Sequence, residues 1–287
     1  MTFSNFDVFL AAGSNAIGKG PIAIVFAEDD TELTSTVDHY LWLGFKKVIA
    51  IGEDLDGLSN HASGALIRVQ HTLPLSGDMS GLLNKIFPLV PNQWVYYCYN
   101  AEYLYYPFCE HRSIAELVAF SMEERRDSIL SYVVDLYAPN LDEVPSGVRR
   151  NGSCLDRSGY YALARTDKWN NSIERQMDFF GGLRWRFEEH VPAKKRRIDR
   201  IALFRVTQGL QIQPDHTFNQ AEYNTYACPW HHSITASICS FRTAKALKRN
   251  PGSTFDIETF YWHNSTTFQW SSQQLMDLGL MEPGQWF

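Results

Sequence analysis

No window of this chain approaches about 18 uninterrupted apolar residues, so no segment reads as a membrane-spanning helix. The first twenty residues lack a charged region ahead of a long apolar run, and no secretory leader is read there. The cysteines are few and odd in number: Cys98, Cys109, Cys154, Cys228 and Cys239, with no C-x-x-C pair. That disfavours a disulfide framework and fits a reducing compartment. A cytoplasmic location is expected, with peripheral membrane contact left open. Neither G-x-G-x-x-G nor G-x-x-x-x-G-K-[ST] occurs, which disfavours a dinucleotide or P-loop site. G-x-S-x-G is also missing, and no Cys/His pairing suggests a nucleophile. There is no excess of basic charge. The formal net charge of −6 argues against a general nucleic-acid binder.

What is present supports one large α/β domain or two closely packed lobes: 287 residues, 45% hydrophobic and 20% charged. Aromatic residues are abundant, with 8 Trp and 14 Tyr. Such rings stack on bases and sugar faces, and they also fill ordinary cores. The charge is uneven. Residues 1–140 carry eight Lys/Arg against 17 Asp/Glu, whereas residues 141–287 carry 18 against 15. An acidic front half beside a basic back half would frame a phosphate-bearing ligand; ordinary surface variation explains it equally well.

The first half repeats strand, helix and strand. Gly20 to Ala27 is an apolar run behind Gly-Pro and reads as a buried strand. Thr31 to Leu43 has helical spacing, with Asp30 or Thr31 as N-cap and Gly44 as the stop. Lys47 to Gly52 and Ala65 to Val69 read as strands, Met79 to Val90 as a helix broken near Pro88, and Trp94 to Cys98 as the next strand. Ser113 to Arg126 is an amphipathic helix with Ile114, Leu117, Val118 and Met122 on one face, opened by a Ser113/Glu116 capping box. Ser128 to Tyr137 is another strand. Residues 141–171 read as loop with one short helix, and the boundary between a 1–140 half and a 141–287 half is placed there. Beyond it, a strand pair around Gly209, a strand over Ser233 to Phe241, a helix over Thr243 to Arg249, a stop at Pro251-Gly252 and a loop-like aromatic C-terminus are expected.

Carboxylates follow successive strands: Glu28 and Asp29, then Asp54 and Asp56, then Glu102. Parallel doubly wound sheets bind ligands beyond the carboxyl ends of their strands, so these acids are expected on one rim. The segment from Trp94 to Pro107 (WVYYCYNAEYLYYP) runs from a buried strand into a polar knot, Asn100 and Glu102, and then into an apolar exit. An isolated carboxylate after such a strand needs a partner, and a buried ion pair with an arginine is the simple alternative to a functional role.

With these residues in view, the chain resembles the family 2 glycosyltransferases, in particular a bacterial branch whose hallmark strand reads W-V-x-x-x-D-x-D-E-F-L. Gly20 to Ile51, Trp94 to Pro107 and Tyr132 to Pro139 (YVVDLYAP) carry the likeness, with a scattered match at Gly181-Gly182-Leu183-Arg184. The resemblance implies a GT-A fold: a Rossmann-type, mostly parallel sheet flanked by helices, with a mixed α+β C-terminal part. It implies a nucleotide-diphosphate sugar as donor and a glycan or other hydroxyl as acceptor. In the family, D-x-D carboxylates hold Mg²⁺ or Mn²⁺ on the diphosphate. Gapless matching puts Tyr99 and Ala101 at those two positions and keeps Glu102; a one-residue slip makes Asn100 and Glu102 an N-x-E pair. The metal candidates are therefore Glu102, Asn100 and a histidine, His232.

Metal-free members neutralise the diphosphate with cations, for which Arg184 and Arg186 are the first candidates and Lys194, Lys195, Arg196 and Arg197 the next. By the same resemblance Glu28, Asp54 and Asp56 contact the nucleoside. Asp135 is the expected general base, with Glu102 the other catalytic carboxylate. Cys228-Pro-Trp-His231-His232 with Cys239 has zinc-ligand types, but C-x2-H-H-x6-C is not a standard finger. The other reading keeps the scaffold and drops turnover: a GT-A-like binding protein for a glycan or a protein partner.

Overall fold

The structure is a computed structural model that describes residues 1–58, 64–226 and 232–286. Its strands are β1 (Thr2–Phe3), β2 (Ile22–Ala27), β3 (Lys47–Gly52), β4 (Leu66–Gln70), β5 (Trp94–Tyr99), β6 (Glu102–Tyr105), β7 (Ser128–Asp135), β8 (Cys154–Asp156), β9 (Tyr161–Thr166), β10 (Ser172–Phe180), β11 (Asp199–Arg205), β12 (Thr235–Ser240) and β13 (Ser265–Thr267). The helices are α1 (Phe6–Ile17), α2 (Leu33–Trp42), α3 (Ser80–Ile86), α4 (Ile114–Glu123), α5 (Leu183–Arg186), α6 (Arg242–Arg249), α7 (Pro251–Thr254) and α8 (Ser272–Asp277). They fall into two compact units: residues 1–103, 111–129 and 201–224 in the first, and residues 104–110, 130–200 and 225–287 in the second.

The first unit is mixed α/β, with a large, mostly parallel sheet and its helices. Its strands run in the order β1-β4-β3-β2-β5-β11. All neighbours are parallel except β5 and β11, which pair antiparallel through Leu203 opposite Tyr96. Strands buried on both faces read as continuous apolar runs, and β2 shows this: every residue from Ile22 to Ala27 is buried. Each such Ile, Val or Phe contributes roughly 1.5–3 kcal/mol of transfer free energy. Helix α4 opens with the expected capping box, Ser113 Oγ accepting from the Glu116 amide and Glu116 accepting from the Ser113 amide. Its buried face is Ile114, Leu117, Val118 and Ser121, while Met122 turns to solvent.

Helix α2 begins differently from the sequence expectation. Neither Asp30 nor Thr31 caps it. Glu32 takes the N-cap position in a left-handed conformation (φ 53°) and gives no side-chain cap bond. The reason is local competition: Asp29 Oδ1 accepts from the Thr31 amide, which spends the acidic turn on itself.

In the second unit β7 and β12 pair in parallel, from Leu130 opposite Thr235 to Asp135 opposite Ser240. Two antiparallel ribbons, β9–β10 and β8–β13, stand beside this pair in the chain order. Residues 141–171 thus hold two strands and no helix, contrary to expectation: Cys154–Asp156 pairs with the distant Ser265–Thr267, and Tyr161–Thr166 pairs as a hairpin with the next strand, Ser172–Phe180. Only β11 forms from the expected pair around Gly209; Ile212 makes a single bridge with Phe218 instead. Pro251 starts α7 as its first residue, with Asn250 as cap, and does not end the structure there. The C-terminal segment contains β13 and α8. Tyr137, Leu141, Cys154, Leu183, Ala244, Leu247, Ile257 and Phe260 form a core of this unit. No helix among the described residues is long and apolar enough to cross a membrane.

Candidate functional site

The order β4-β3-β2-β5 has a reversal. From β2 the chain steps through β3 to β4 on one side and then returns to β5 on the other. In open α/β sheets ligands bind at such a switch point, beyond the carboxyl ends of the strands. The sequence places Glu28 and Asp29 after β2 and Asn100 after β5, and the fold brings them together. Asn100 is buried, and its side-chain Nδ2 donates to Asp29 Oδ1 at 2.7 Å and to the Thr31 carbonyl at 2.8 Å. Its Oδ1 accepts from the Glu28 amide at 2.9 Å. One side chain thus latches the two loops.

Two non-glycine residues of this latch have left-handed backbones, Glu32 (φ 53°) and Ala101 (φ 62°). Thr36 joins them. Its hydroxyl donates to the Glu32 carbonyl at 2.6 Å and accepts from the Ala101 amide at 2.9 Å. Conformations of this kind cost on the order of 1–3 kcal/mol each and persist where the surroundings over-determine them. Glu102 is buried, and its Oε2 accepts from the Tyr99 amide at 3.0 Å, closing the β5–β6 turn on itself. Asp54 and Asp56 lie exposed in the loop after β3, and Glu28 is exposed at the end of β2.

Hard divalent cations take six or more oxygen ligands, carboxylates foremost. Here Asn100 Oδ1, Asp29 Oδ1 and Glu102 Oε2 each accept an N–H of the chain itself. Among the described residues no group of three or more His, Cys, Asp or Glu gathers to hold an ion. His232 is exposed in the second unit, with Glu282 Oε2 3.8 Å from its Nδ1. Cys228 and His231 lie outside the described residues.

The second unit carries the remaining candidates. Asp135 ends β7 and is 1% exposed. Its Oδ2 accepts from the Arg184 amide at 3.4 Å, and Arg184 Nε stands 3.7 Å from Oδ1. Burial pushes the Asp135 carboxyl above its ordinary range, while Arg184 and the Thr243 hydroxyl pull against that shift. Arg186 is engaged elsewhere. It grips Asp156 with Nε at 2.8 Å and Nη2 at 3.1 Å, a bidentate pair, and Nη2 also donates to the Phe260 carbonyl at 2.7 Å. Its guanidinium lies 4.9 Å from the Trp262 ring centre. Asp156 also accepts from the Tyr137 hydroxyl and, at 2.7 Å, from Trp262 Nε1. Arg196 and Arg197 are bound within the chain by Glu188 and by Asp178 and Asp199, whereas Lys194 and Lys195 are exposed.

Asp135, Arg184 and Arg186 were singled out in the sequence, whereas Asp156 and Trp262, which bond to Arg186 and to each other here, were not. The signal for Asp156 was present: Cys154-Leu155-Asp156 repeats the apolar-then-Asp ending of Val133-Val134-Asp135. For Trp262 no local signal exists, because its partner is 106 residues away. Compared with protein-family models and with curated proteins, the chain matches none.

Proposed function

We propose that the first unit binds a nucleotide-diphosphate sugar and that the chain is a GT-A-type glycosyltransferase, moving the sugar to a glycan or other acceptor hydroxyl without a metal. The observation that carries this reading is the reversal of strand order between β2 and β5, with Glu28, Asp29 and Asn100 at their carboxyl ends. Open α/β sheets place ligands at such a point. Exposed Asp54 and Asp56 offer acceptors for ribose and base N–H and O–H groups. The strained, latched turns at Glu32 and Ala101 supply the rigid rim that a nucleotide needs. In the second unit, Asp135 has a raised proton affinity, a property of a candidate general base.

A second reading has one observation in its favour. Tyr99 and Ala101, at the two positions where the resemblance expects aspartates, carry no carboxylate, which suits a scaffold that binds without turnover. Thermal unfolding with UDP, GDP and CMP, each with and without Mn²⁺, tests both. Stabilisation by one nucleotide, unchanged by Mn²⁺, is expected. If no nucleotide raises Tm, the donor site and the transferase reading both fall. Stabilisation without any release of sugar from the matching donor in the presence of acceptor glycans selects the binding protein.

A further inference from the structure

Two buried polar atoms of the second unit have no hydrogen-bond partner and belong to one cluster: Asp135 Oδ1 and the Tyr160 hydroxyl. A buried polar group left in this state costs about 1–3 kcal/mol, so a fold that keeps two together has a use for them. They are held against consecutive residues. The Tyr160 ring packs on Gly181, and the Asp135 carboxylate packs on Gly182 so closely that a Cβ there would stand 2.9 Å from Oδ2. The phenol feels the charge of Asp135 and of Asp156, and burial together with these charges raises its proton affinity, so it stays a hydroxyl.

The residue before Tyr160 leads to an aromatic face. A Cβ on Gly159 would stand 3.0 Å from the Trp185 ring and 3.7 Å from Trp262. The two indoles meet edge to face at 6.5 Å, and Asp156 fixes the Trp262 ring through its N–H. Trp185 is 39% exposed and is the solvent-facing member.

The chemistry of these groups selects the ligand. Two carboxylates, Asp135 and Asp156, disfavour a phosphate. Arg184 and Arg186 beside them disfavour a cation, and among the described residues no third acid or histidine joins them to hold one. A neutral hydroxyl satisfies both hooks at once: it donates to Asp135 Oδ1 and accepts from the Tyr160 O–H. Indole faces take the C–H faces of sugar rings. We propose that the second unit holds a saccharide-binding site in which Asp135 and Tyr160 bind a sugar hydroxyl and Trp185 with Trp262 covers the ring. Naming this sugar the acceptor rests on the transferase reading; binding of a saccharide does not. Both polar atoms are closed to solvent, so entry needs a swing of Trp185 or Tyr160, and association is slower than an open site allows.

The test is intrinsic tryptophan fluorescence titrated with maltose, cellobiose, lactose and N,N′-diacetylchitobiose, alongside binding of the labelled full chain to an immobilised glycan panel. At least one saccharide is expected to give saturable binding. Tyr160→Phe should weaken it at least fivefold and Trp185→Ala should abolish it, with circular dichroism and Tm showing that both variants fold. The nucleotide-induced Tm shift should remain in both, which separates this site from the donor reading. No saturable binding by any saccharide overturns the proposal. Equal binding by Tyr160→Phe and the parent protein also overturns it, since the hydroxyl would then serve only as a buried phenol.

Discussion

The Asn100 side chain donates to Asp29 Oδ1 at 2.7 Å and so fastens the end of β5 to the loop that leaves β2. Its second N–H donates to the Thr31 carbonyl and its Oδ1 accepts from the Glu28 amide, both on the same loop. Asn100→Ala strands all three partners and should cost about 2–4 kcal/mol in urea unfolding. Asn100→Asp is nearly isosteric but sets a carboxylate against Asp29. It also removes both N–H donors and should be at least as destabilised as Asn100→Ala in urea unfolding. A variant as stable as the parent would show that the latch does not depend on the amide.

Strands β2, β3 and β5 of the first unit were legible because they are short apolar runs, whereas the pairings of β1 with β4 and of β11 with β5 join segments far apart in the chain and were not. The role of Asn100 was only half legible. Its place after a buried strand marked it as functional, yet its partners, about 70 residues away, decide that it latches loops. In the second unit the short apolar-then-Asp signal of Cys154-Leu155-Asp156 sits inside a stretch rich in Gly, Ser and Arg, and β8 is completed by pairing with the distant Ser265–Thr267. Long-range pairing leaves no mark on local periodicity, so Cys154–Asp156 read as loop, and the hairpin strand Tyr161–Thr166 is too exposed to show a buried apolar run. Arg184 and Arg186 were found by type, but a carboxylate for each guanidinium can be assigned only in three dimensions.

Gly182 has φ 63°, and a Cβ there would stand 2.9 Å from Asp135 Oδ2. Gly182→Ala therefore combines backbone strain with displacement of a buried carboxylate. A loss of about 2–3 kcal/mol is expected from thermal or urea unfolding. Saccharide affinity should fall at least as far as in Tyr160→Phe, because Asp135 is pushed off its position. A variant as stable as the parent would show that this turn yields freely.

Arg186 and Asp156 form a bidentate pair with side chains 10% and 2% exposed. Removing one member leaves the other buried and uncompensated, which costs about 3–5 kcal/mol. Arg186→Met should show that loss. Arg186→Met with Asp156→Asn should recover part of it, since the stranded charge is gone. Arg186→Lys should fall between, as one ammonium cannot bond both oxygens in the guanidinium's plane. Equal stability of the single and double variants in urea unfolding would mean that Asp156 is neutralised by other groups.

The Asp135 carboxyl is held above its ordinary range, first by burial and then by Asp156, against the pull of Arg184 and Thr243. The folded chain therefore binds this proton more tightly than the unfolded chain. The resulting stability is fully present below the unfolded value of about 3.9 and is lost as pH rises through the raised folded value. Asp135→Asn keeps the shape and removes the titration. Its Tm relative to the parent should rise as pH goes from about 4 to 7, and scanning calorimetry at several pH values reads this directly. The Glu110 carboxylate titrates in the opposite sense. Burial raises it, but two hydrogen bonds from Ser272 outweigh that and lower it overall, so its contribution is lost as pH falls. Comparing Asp135→Asn with Glu110→Gln therefore separates the two: the first should flatten the high-pH side of the stability profile and the second the low-pH side. A Tm difference between Asp135→Asn and the parent that stays constant with pH would mean that Arg184 holds Asp135 ionised throughout.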